Sequence, residues 1–323
     1  MPNPELSAEH FFGGEGGEEI AKEECDATIS TIFESVLARI EEIKTETPPS
    51  EDIALFSAKM IKTRDRFPQS TTEGELIIVS FFGVGAEIKR QQERAKIQQE
   101  IKQATLRKEF QKRSELLDRI GEINIASADW QINAGRMIMM LEGHPQGREI
   151  LQAFWQQVDS IHSAALPQKV GGLRTEGEKK ARSLRNGILA PVTTIYIFRA
   201  MDLSTSFPTA HQDATEKIDL WAWREEKGRP KRALAIQVKT ISHSKKPAEA
   251  KGRSQEALIR RSQSYSTLWG ITVKPIWIEM LPVSTSGIDI LSGKPNQQFI
   301  DEMINGDFSK SIRKALEIKN RAF

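Results

Sequence analysis

The chain has a single thiol, Cys25, in 323 residues, which excludes internal disulfides and any cysteine-based zinc site. It has no Gly-x4-Gly-Lys-Ser/Thr loop, so a nucleotide-driven motor is not expected. No His-Glu-x-x-His zinc helix occurs, its five histidines are scattered, and no Gly-x-Ser-x-Gly elbow points to a serine hydrolase. Gly83-Val84-Gly85 starts a dinucleotide fingerprint, but Ile88 holds the third glycine position, so the segment reads as core with a glycine-containing turn. Its longest apolar run, Leu76 to Ala86, is broken by Ser80 and two glycines and falls short of the roughly 20 residues of a membrane span. The N-terminus lacks a basic stretch followed by an apolar one, so no secretory signal is expected. These absences predict a soluble, cytoplasmic protein with no membrane partner and Cys25 as a reduced thiol on a helix.

With 38% hydrophobic and 28% charged residues, the chain can bury a sizeable core in one large or two ordinary domains. The net charge of +2 hides a gradient. Residues 1–50 carry 3 basic and 12 acidic side chains, residues 51–165 carry 16 of each, and residues 166–323 carry 27 basic and 16 acidic. The basic C-terminal half is suited to a polyanion, although a solvated surface would show the same balance.

Residues 1–19 form an acidic, glycine-rich lead-in without periodicity. Residues 20–165 read as helical. Ile29, Ile32, Phe33, Val36, Leu37 and Ile40 recur at helical spacing, Thr47-Pro48-Pro49-Ser50 ends that helix, and Ser50-Glu51-Asp52 caps the next. Ala86 to Ile123 reads as one extended charged helix, with Ile97, Ile101 and Ala104 on one face and Leu106, Phe110, Leu117 and Ile120 more loosely on another. It offers a dimerising or docking arm, while a solvated structural arm is the plainer account. A further helix covers Gln146 to Ala165. The role of this half is not readable.

Leu166-Pro167 and Gly171-Gly172 mark a boundary, and residues 170–323 read as α/β. Glu176 to Met201 is helical, with Pro191 kinking or dividing it. Lys217 to Trp223 alternates as a strand, Lys227-Gly228-Arg229-Pro230 turns, and Ala233 to Thr240 is a second strand. Ser254 to Trp269 is a basic helix, and Lys274 to Val283 returns as a strand with Pro275 at its start.

Strand alternation sets Gln237 and Lys239 on one side and Leu234, Ile236 and Val238 on the other. Asp219, on the neighbouring strand, and Glu178, at the start of the preceding helix, are carboxylates able to join them. Magnesium, a hard cation with oxygen ligands, suits such a cluster, and phosphodiester hydrolysis is the chemistry it would support. Lys239 would orient the attacking water or stabilise charge on the phosphate oxygens.

At these residues the sequence resembles the PD-(D/E)xK nuclease superfamily, the restriction-endonuclease-like fold. The likeness rests on Glu178, on Asp219 within Glu216-Lys217-Ile218-Asp219-Leu220-Trp221, and on Gln237-Val238-Lys239-Thr240. The element order after about residue 170 is similar to that family's αβββαβ core, and nothing in the likeness reaches residues 1–165. The resemblance implies a divalent-metal site at Asp219 and Gln237 with the Val238 carbonyl as a further ligand. It also implies Lys239 as catalytic, Glu178 as accessory, and Mg²⁺ (with Mn²⁺ as a substitute) as the cofactor. His211 to Thr215 would begin the extra strand this fold requires, with Asp213 at the margin of the site. Gln237 departs from the acidic residue usual in the superfamily. Mrr-like restriction enzymes are similar in using Gln-x-Lys, and the loss of one negative charge is expected to weaken metal affinity.

In the basic helix, Arg253, Arg260 and Arg261 with Gln255, Gln263 and Tyr265 suit phosphate and base contacts, and Lys179, Lys180, Arg182 and Arg185 could follow a backbone. Each reads equally well as a solvated side chain, and His243 as a loop histidine. The expected activity is DNA hydrolysis. The alternatives are a weak or inactive nuclease-fold module that binds nucleic acid, and a helical assembly protein with a structural α/β half.

Overall fold

A computed structural model describes residues 22–68, 71–168, 175–225, 230–240, 248–280 and 287–318. The lead-in, residues 227–229 of the expected turn, Gly171-Gly172 and His243 lie outside them. The described residues divide into two compact units, within Glu19–Ile188 and Leu189–Phe323.

The first unit is helical: α1 (Lys22–Glu46), α2 (Ile53–Arg64), α3 (Thr72–Leu106), α4 (Phe110–Met140), α5 (Gly147–Ala165) and the first half of α6 (Glu176–Ala200). Apolar spacing along α5 buries Ile150, Leu151, Phe154, Trp155, Val158 and Ile161 together. Phe154 meets Phe81 of α3 at 5.5 Å and Trp130 of α4 at 6.3 Å, and Phe81 meets Phe33 of α1 at 6.0 Å, so four helices share one aromatic core. Asp52 caps α2 by accepting the Leu55 N–H at 2.9 Å.

The single helix expected over Ala86 to Ile123 is two. The chain breaks at Lys108, which adopts φ 57°, and α4 packs back along α3. Ile97 and Ala104 of α3 bury against Leu116 and Ile123 of α4, with Ile101 and Ile120 beside them. The free energy gained by pairing two amphipathic faces exceeds the small cost of one residue in the left-handed region. Leu106, Phe110 and Leu117, expected to share a face, are 77%, 72% and 47% exposed near the tip of this hairpin. The glycine-containing turn expected at Gly83-Val84-Gly85 is the interior of α3. Gly83 is there for clearance: a Cβ on it would lie 2.1 Å from the Trp130 ring, whose Nε1 donates to the Ser80 carbonyl at 3.0 Å.

The second unit holds a four-stranded sheet in the order β1 (Ser204–Ser206), β2 (Leu220–Trp223), β3 (Arg232–Thr240), β4 (Thr272–Met280). β1–β2 and β2–β3 are antiparallel and β3–β4 is parallel. A parallel neighbour needs a crossover, and α7 (Ala248–Trp269) supplies it. Two short helices follow, α8 (Gln297–Asn305) and α9 (Asp307–Leu316), the latter packed on β3. From residue 176 the order is therefore α-β-β-β-α-β.

Ala233 and Ala235 of β3 are small because Trp221 and Trp223 of β2 and Leu258, Tyr265 and Trp269 of α7 fill the space above them. Trp221 lies 4.8 Å from Trp269 and 5.2 Å from Tyr265, ring centre to ring centre. Leu234, Ile236 and Val238 are buried with the opposite alternation.

Four further expectations change. Of the two outcomes expected at Pro191, the division does not occur: α6 is one helix over Glu176–Ala200. The strand expected to begin at Lys217 begins at Leu220, because Lys217 has φ 62° and ends a turn. His211 to Thr215 is not a strand: Gln212–Glu216 is a π-helical turn, and the extra strand is Ser204–Ser206. Pro275 sits within β4, paired with Ala235, and its missing N–H is tolerated because β4 has only β3 as a neighbour among the described residues. No described helix is long and apolar enough to cross a membrane.

Candidate functional site

β2 and β3 bring three of the sequence-selected residues together. The last backbone pair of the β2–β3 ladder is Leu220 with Ile236, and the Asp219 N–H continues it by donating to the Ile236 carbonyl at 2.7 Å. Asp219 and Leu220 thus both lie across from Ile236, the residue before Gln237. The Asp219 carboxylate Oδ2 accepts the Val238 N–H at 2.7 Å and lies 3.8 Å from the Lys239 Nζ. Asp219 is largely buried, whereas Lys239 is partly exposed.

Gln237 is 1% exposed, and neither its amide oxygen nor its amide nitrogen has a hydrogen-bond partner among the described residues. An unsatisfied buried amide costs about 1–3 kcal/mol, so its position is unfavourable as it stands. No group of three or more His, Cys, Asp or Glu side chains able to hold a metal occurs among the described residues. A cation at Asp219 would therefore have to draw on the Gln237 oxygen, backbone carbonyls or water.

Two groups that the strand argument left at the margin or missed lie in the same electrostatic neighbourhood. Asp213, in the π-turn, interacts with Asp219, Lys239 and Lys217. Burial first, and the Asp219 charge second, push its carboxyl up to about 7, against the pull of Lys239 and Lys217. Burial also raises Asp219, opposed by Lys239, the Val238 N–H and Lys217. Lys217 is lowered, by burial and then by Lys239, while Asp213 and Asp219 resist. Desolvation thus outweighs attraction at three of these groups.

The π-turn is anchored from behind. Thr209 and Gln212 cap each other, the Thr209 N–H donating to Gln212 Oε1 at 2.9 Å and the Gln212 N–H to Thr209 Oγ1 at 3.2 Å. Gln212 Nε2 donates to the Tyr265 hydroxyl at 2.9 Å, which donates in turn to Glu216 Oε2 at 2.6 Å. Trp221 Nε1 adds a bond to Gln212 Oε1 at 3.3 Å. The Thr209-x-x-Gln212 spacing is a capping signal readable in the sequence, whereas the tie to Tyr265 spans half of the domain and is not.

Glu178 belongs to the helical unit, at the start of α6. Its carboxylate accepts the Thr175 N–H at 2.7 Å while the Thr175 hydroxyl accepts the Glu178 N–H at 3.2 Å, a reciprocal capping box. Lys179, Lys180 and Arg182 are exposed on the same turns, and Arg185 pairs with Asp159 at 2.7 Å and lies over Trp155. On α7, Arg260 is exposed and Arg261 lies 3.9 Å from Glu216. Tyr265 is buried in the anchoring network and is not a surface contact. The side chain of Arg253 lies outside the described residues. A separate cleft of this unit, lined by Arg199, Asp202, Leu203, Ser204, Arg224 and Glu225, contains none of the Asp219 cluster.

No family model, curated protein or solved structure matches the chain.

Proposed function

We propose that the chain is a metal-dependent nuclease that hydrolyses phosphodiester bonds in DNA, with its site at Asp219, Gln237 and Lys239. The observation that carries this reading is the Gln237 amide, 1% exposed and without a partner among the described residues, next to Val238, whose N–H holds a carboxylate 3.8 Å from the Lys239 ammonium. A buried pair of oxygen donors beside a lysine fits a hard divalent cation next to a phosphate. The α-β-β-β-α-β order of residues 176–280, with β3 parallel to β4, supports the likeness to the restriction-endonuclease-like fold.

Asp219 and the Gln237 oxygen would hold Mg²⁺ or Mn²⁺, with the Val238 carbonyl as a further donor. When bound, the cation supplies charge neutralisation at the phosphate and a more acidic water. The Val238 N–H fixes Asp219 Oδ2 in place, so that carboxylate is oriented before any ligand arrives. Lys239, partly exposed, can reach a phosphate oxygen or hold a water in line with the phosphorus while keeping its attraction to Asp219. The basic balance of residues 166–323 favours approach of a polyanion. Glu178 has a sufficient structural task in its capping box, so an accessory role in the reaction would be additional to it. Cleavage of labelled DNA in Mg²⁺, with Lys239→Ala as the comparison, tests the reading.

A second reading is a nucleic-acid-binding module of the same fold. The neutral Gln237 favours it, together with the two lysines, Lys217 and Lys239, around the carboxylates. It expects salt-sensitive DNA binding without cleavage. The reading as a helical assembly protein loses its extended arm. Ile97, Ala104, Leu116 and Ile123 are spent within one chain, leaving Leu106 and Phe110 at the hairpin tip for any pairing of two copies.

A further inference from the structure

The hairpin of α3 and α4 ends in a three-residue link, Arg107 to Glu109, in which Lys108 takes the left-handed conformation. The Glu109 N–H closes on the Ala104 carbonyl at 2.9 Å and the Lys108 N–H on the Thr105 carbonyl at 3.2 Å, so the backbone of the tip is fixed. Behind it, Ile97, Ala104, Leu116 and Ile123 form a cluster that these two helices make alone, and Arg119 pairs with Glu93 across them. The residues on either side of the link stay outside that seam. Leu106 and Phe110 are 77% and 72% exposed, and no other large apolar side chain among the described residues exceeds 51%. Exposed apolar side chains are ordinary in ones and twos, and by themselves they identify no partner.

Charge is the second observation. Lys102, Arg107, Lys108, Lys112 and Arg113 flank the pair, against one acid, Glu109, and all five are exposed. Glu109 lies 3.7 Å from Lys112 and 4.0 Å from Arg107, which leaves Lys102, Lys108 and Arg113 without an ion pair among the described residues. Residues 51–165 carry 16 side chains of each sign, so the cations are gathered at this tip against a neutral background. A partner must combine negative charge with apolar faces. Single-stranded DNA does so, with a phosphate at every nucleotide and base faces that are not stacked in a duplex. An anionic bilayer meets the charge, but a helix lying in it presents a continuous apolar stripe. Here the turns beside the tip expose Gln98, Gln99, Gln103 and Ser114, whose amides and hydroxyl suit phosphates, sugars and base edges.

We infer that the α3–α4 tip is a contact for single-stranded DNA, with Phe110 and Leu106 packed on unpaired bases and the basic residues around them on the phosphates. The choice of DNA rests on the nuclease reading above, whereas the contact itself uses only the helical unit and needs no metal. A duplex offers these side chains a base face only where a step is unstacked, so unpaired DNA is the better ligand.

Fluorescence anisotropy of labelled oligonucleotides in EDTA, over a range of salt, tests this on the full chain without reference to cleavage. The variants are Phe110→Ala, Leu106→Ala and the double variant Lys112→Gln with Arg113→Gln, all at exposed positions and each checked for fold by circular dichroism. Single-strand affinity is expected to fall about tenfold in Phe110→Ala and less in Leu106→Ala, both with the native salt dependence, while duplex affinity changes less. The charge variant is expected to lose affinity with a shallower salt slope, by roughly 0.7 for each cation removed. Native single-strand affinity in all three variants overturns the inference and leaves the nuclease reading to its own test with Lys239→Ala. An equal fall on duplex and single strands in Phe110→Ala overturns the assignment to unpaired bases. Native DNA affinity together with Phe110-dependent capture on phosphatidylserine vesicles, or with a Phe110-dependent dimer in sedimentation, overturns it in favour of a bilayer or a second copy. Metal-dependent cleavage without single-strand binding by the native chain overturns this inference alone, and tip-dependent binding without cleavage of any substrate overturns the nuclease reading alone.

Discussion

The Asp219 carboxylate accepts the backbone N–H of Val238 at 2.7 Å, the residue between Gln237 and Lys239. One hydrogen bond thus ties the carboxylate before β2 to the strand that carries the amide and the lysine. It holds a carboxylate in a poorly solvated position, and the Gln237 amide on the same strand has no partner among the described residues, so this corner of the sheet costs stability. Such compromises recur at sites of function, which makes this corner the candidate site.

Asp213 makes the metal-free protein less stable as pH rises. Its folded carboxyl is raised to about 7 from an unfolded value of 3.8, so the folded state holds the proton more tightly. The associated stability is complete below the unfolded value and is lost as pH climbs to about 7. Asp213→Asn is expected to flatten that decline and to raise the melting temperature at pH 8 in EDTA. Thermal unfolding from pH 5 to pH 8 measures it. A variant that melts lower than the native chain at pH 8 contradicts the assignment of a repelled, poorly solvated carboxylate.

Tyr265→Phe removes the hydroxyl that joins Gln212 and Glu216 and leaves two buried polar groups short of a partner. The expected loss is about 1–3 kcal/mol in urea unfolding. Native stability in the variant would contradict this anchoring role.

Glu178 can be assigned by comparing Glu178→Gln with Glu178→Ala. As a capping residue, it predicts a loss of about 0.5–2 kcal/mol for alanine, a smaller loss for glutamine, and native turnover by the folded fraction of both. An accessory carboxylate would make glutamine as damaging to turnover as alanine while preserving stability.

Two glycines on the paired helices α3 and α4 should respond in opposite directions. Gly83→Ala would drive a methyl group into the Trp130 ring, at 2.1 Å, and is expected to cost about 1–3 kcal/mol or more. Gly121→Ala meets nothing within 4 Å and is expected to stabilise by about 0.5–1 kcal/mol through helix propensity. Melting temperatures of the two variants decide it.

What could be read in advance followed from short-range periodicity. The alternation of Leu234, Ile236 and Val238 against Gln237 and Lys239, and the helical spacing from Ile150 to Ile161, are both present in the structure. Asp219 could be placed because a hairpin partner has few registers once both strands are identified. The break at Lys108 was hidden because Arg107-Lys108-Glu109 contains no glycine or proline, and the turn is imposed by long-range pairing of α3 with α4. The π-turn was hidden for a related reason: its anchor, Tyr265, is 53 residues from Gln212. Gly83 was misread because a glycine that admits a neighbouring indole has the same letter as one that turns the chain. Lys217 was invisible as a site residue until its left-handed backbone set it beside the carboxylates.

The central claim is that Lys239 acts on a phosphodiester at the Asp219–Gln237 site. Cleavage of labelled linear, supercoiled and single-stranded DNA by the native chain and by Lys239→Ala, in Mg²⁺, Mn²⁺ or EDTA, tests it most directly. The account predicts cleavage by the native chain that requires the metal and is lost in the variant. Absence of cleavage by the native chain on every substrate, or equal cleavage by both proteins, would contradict it.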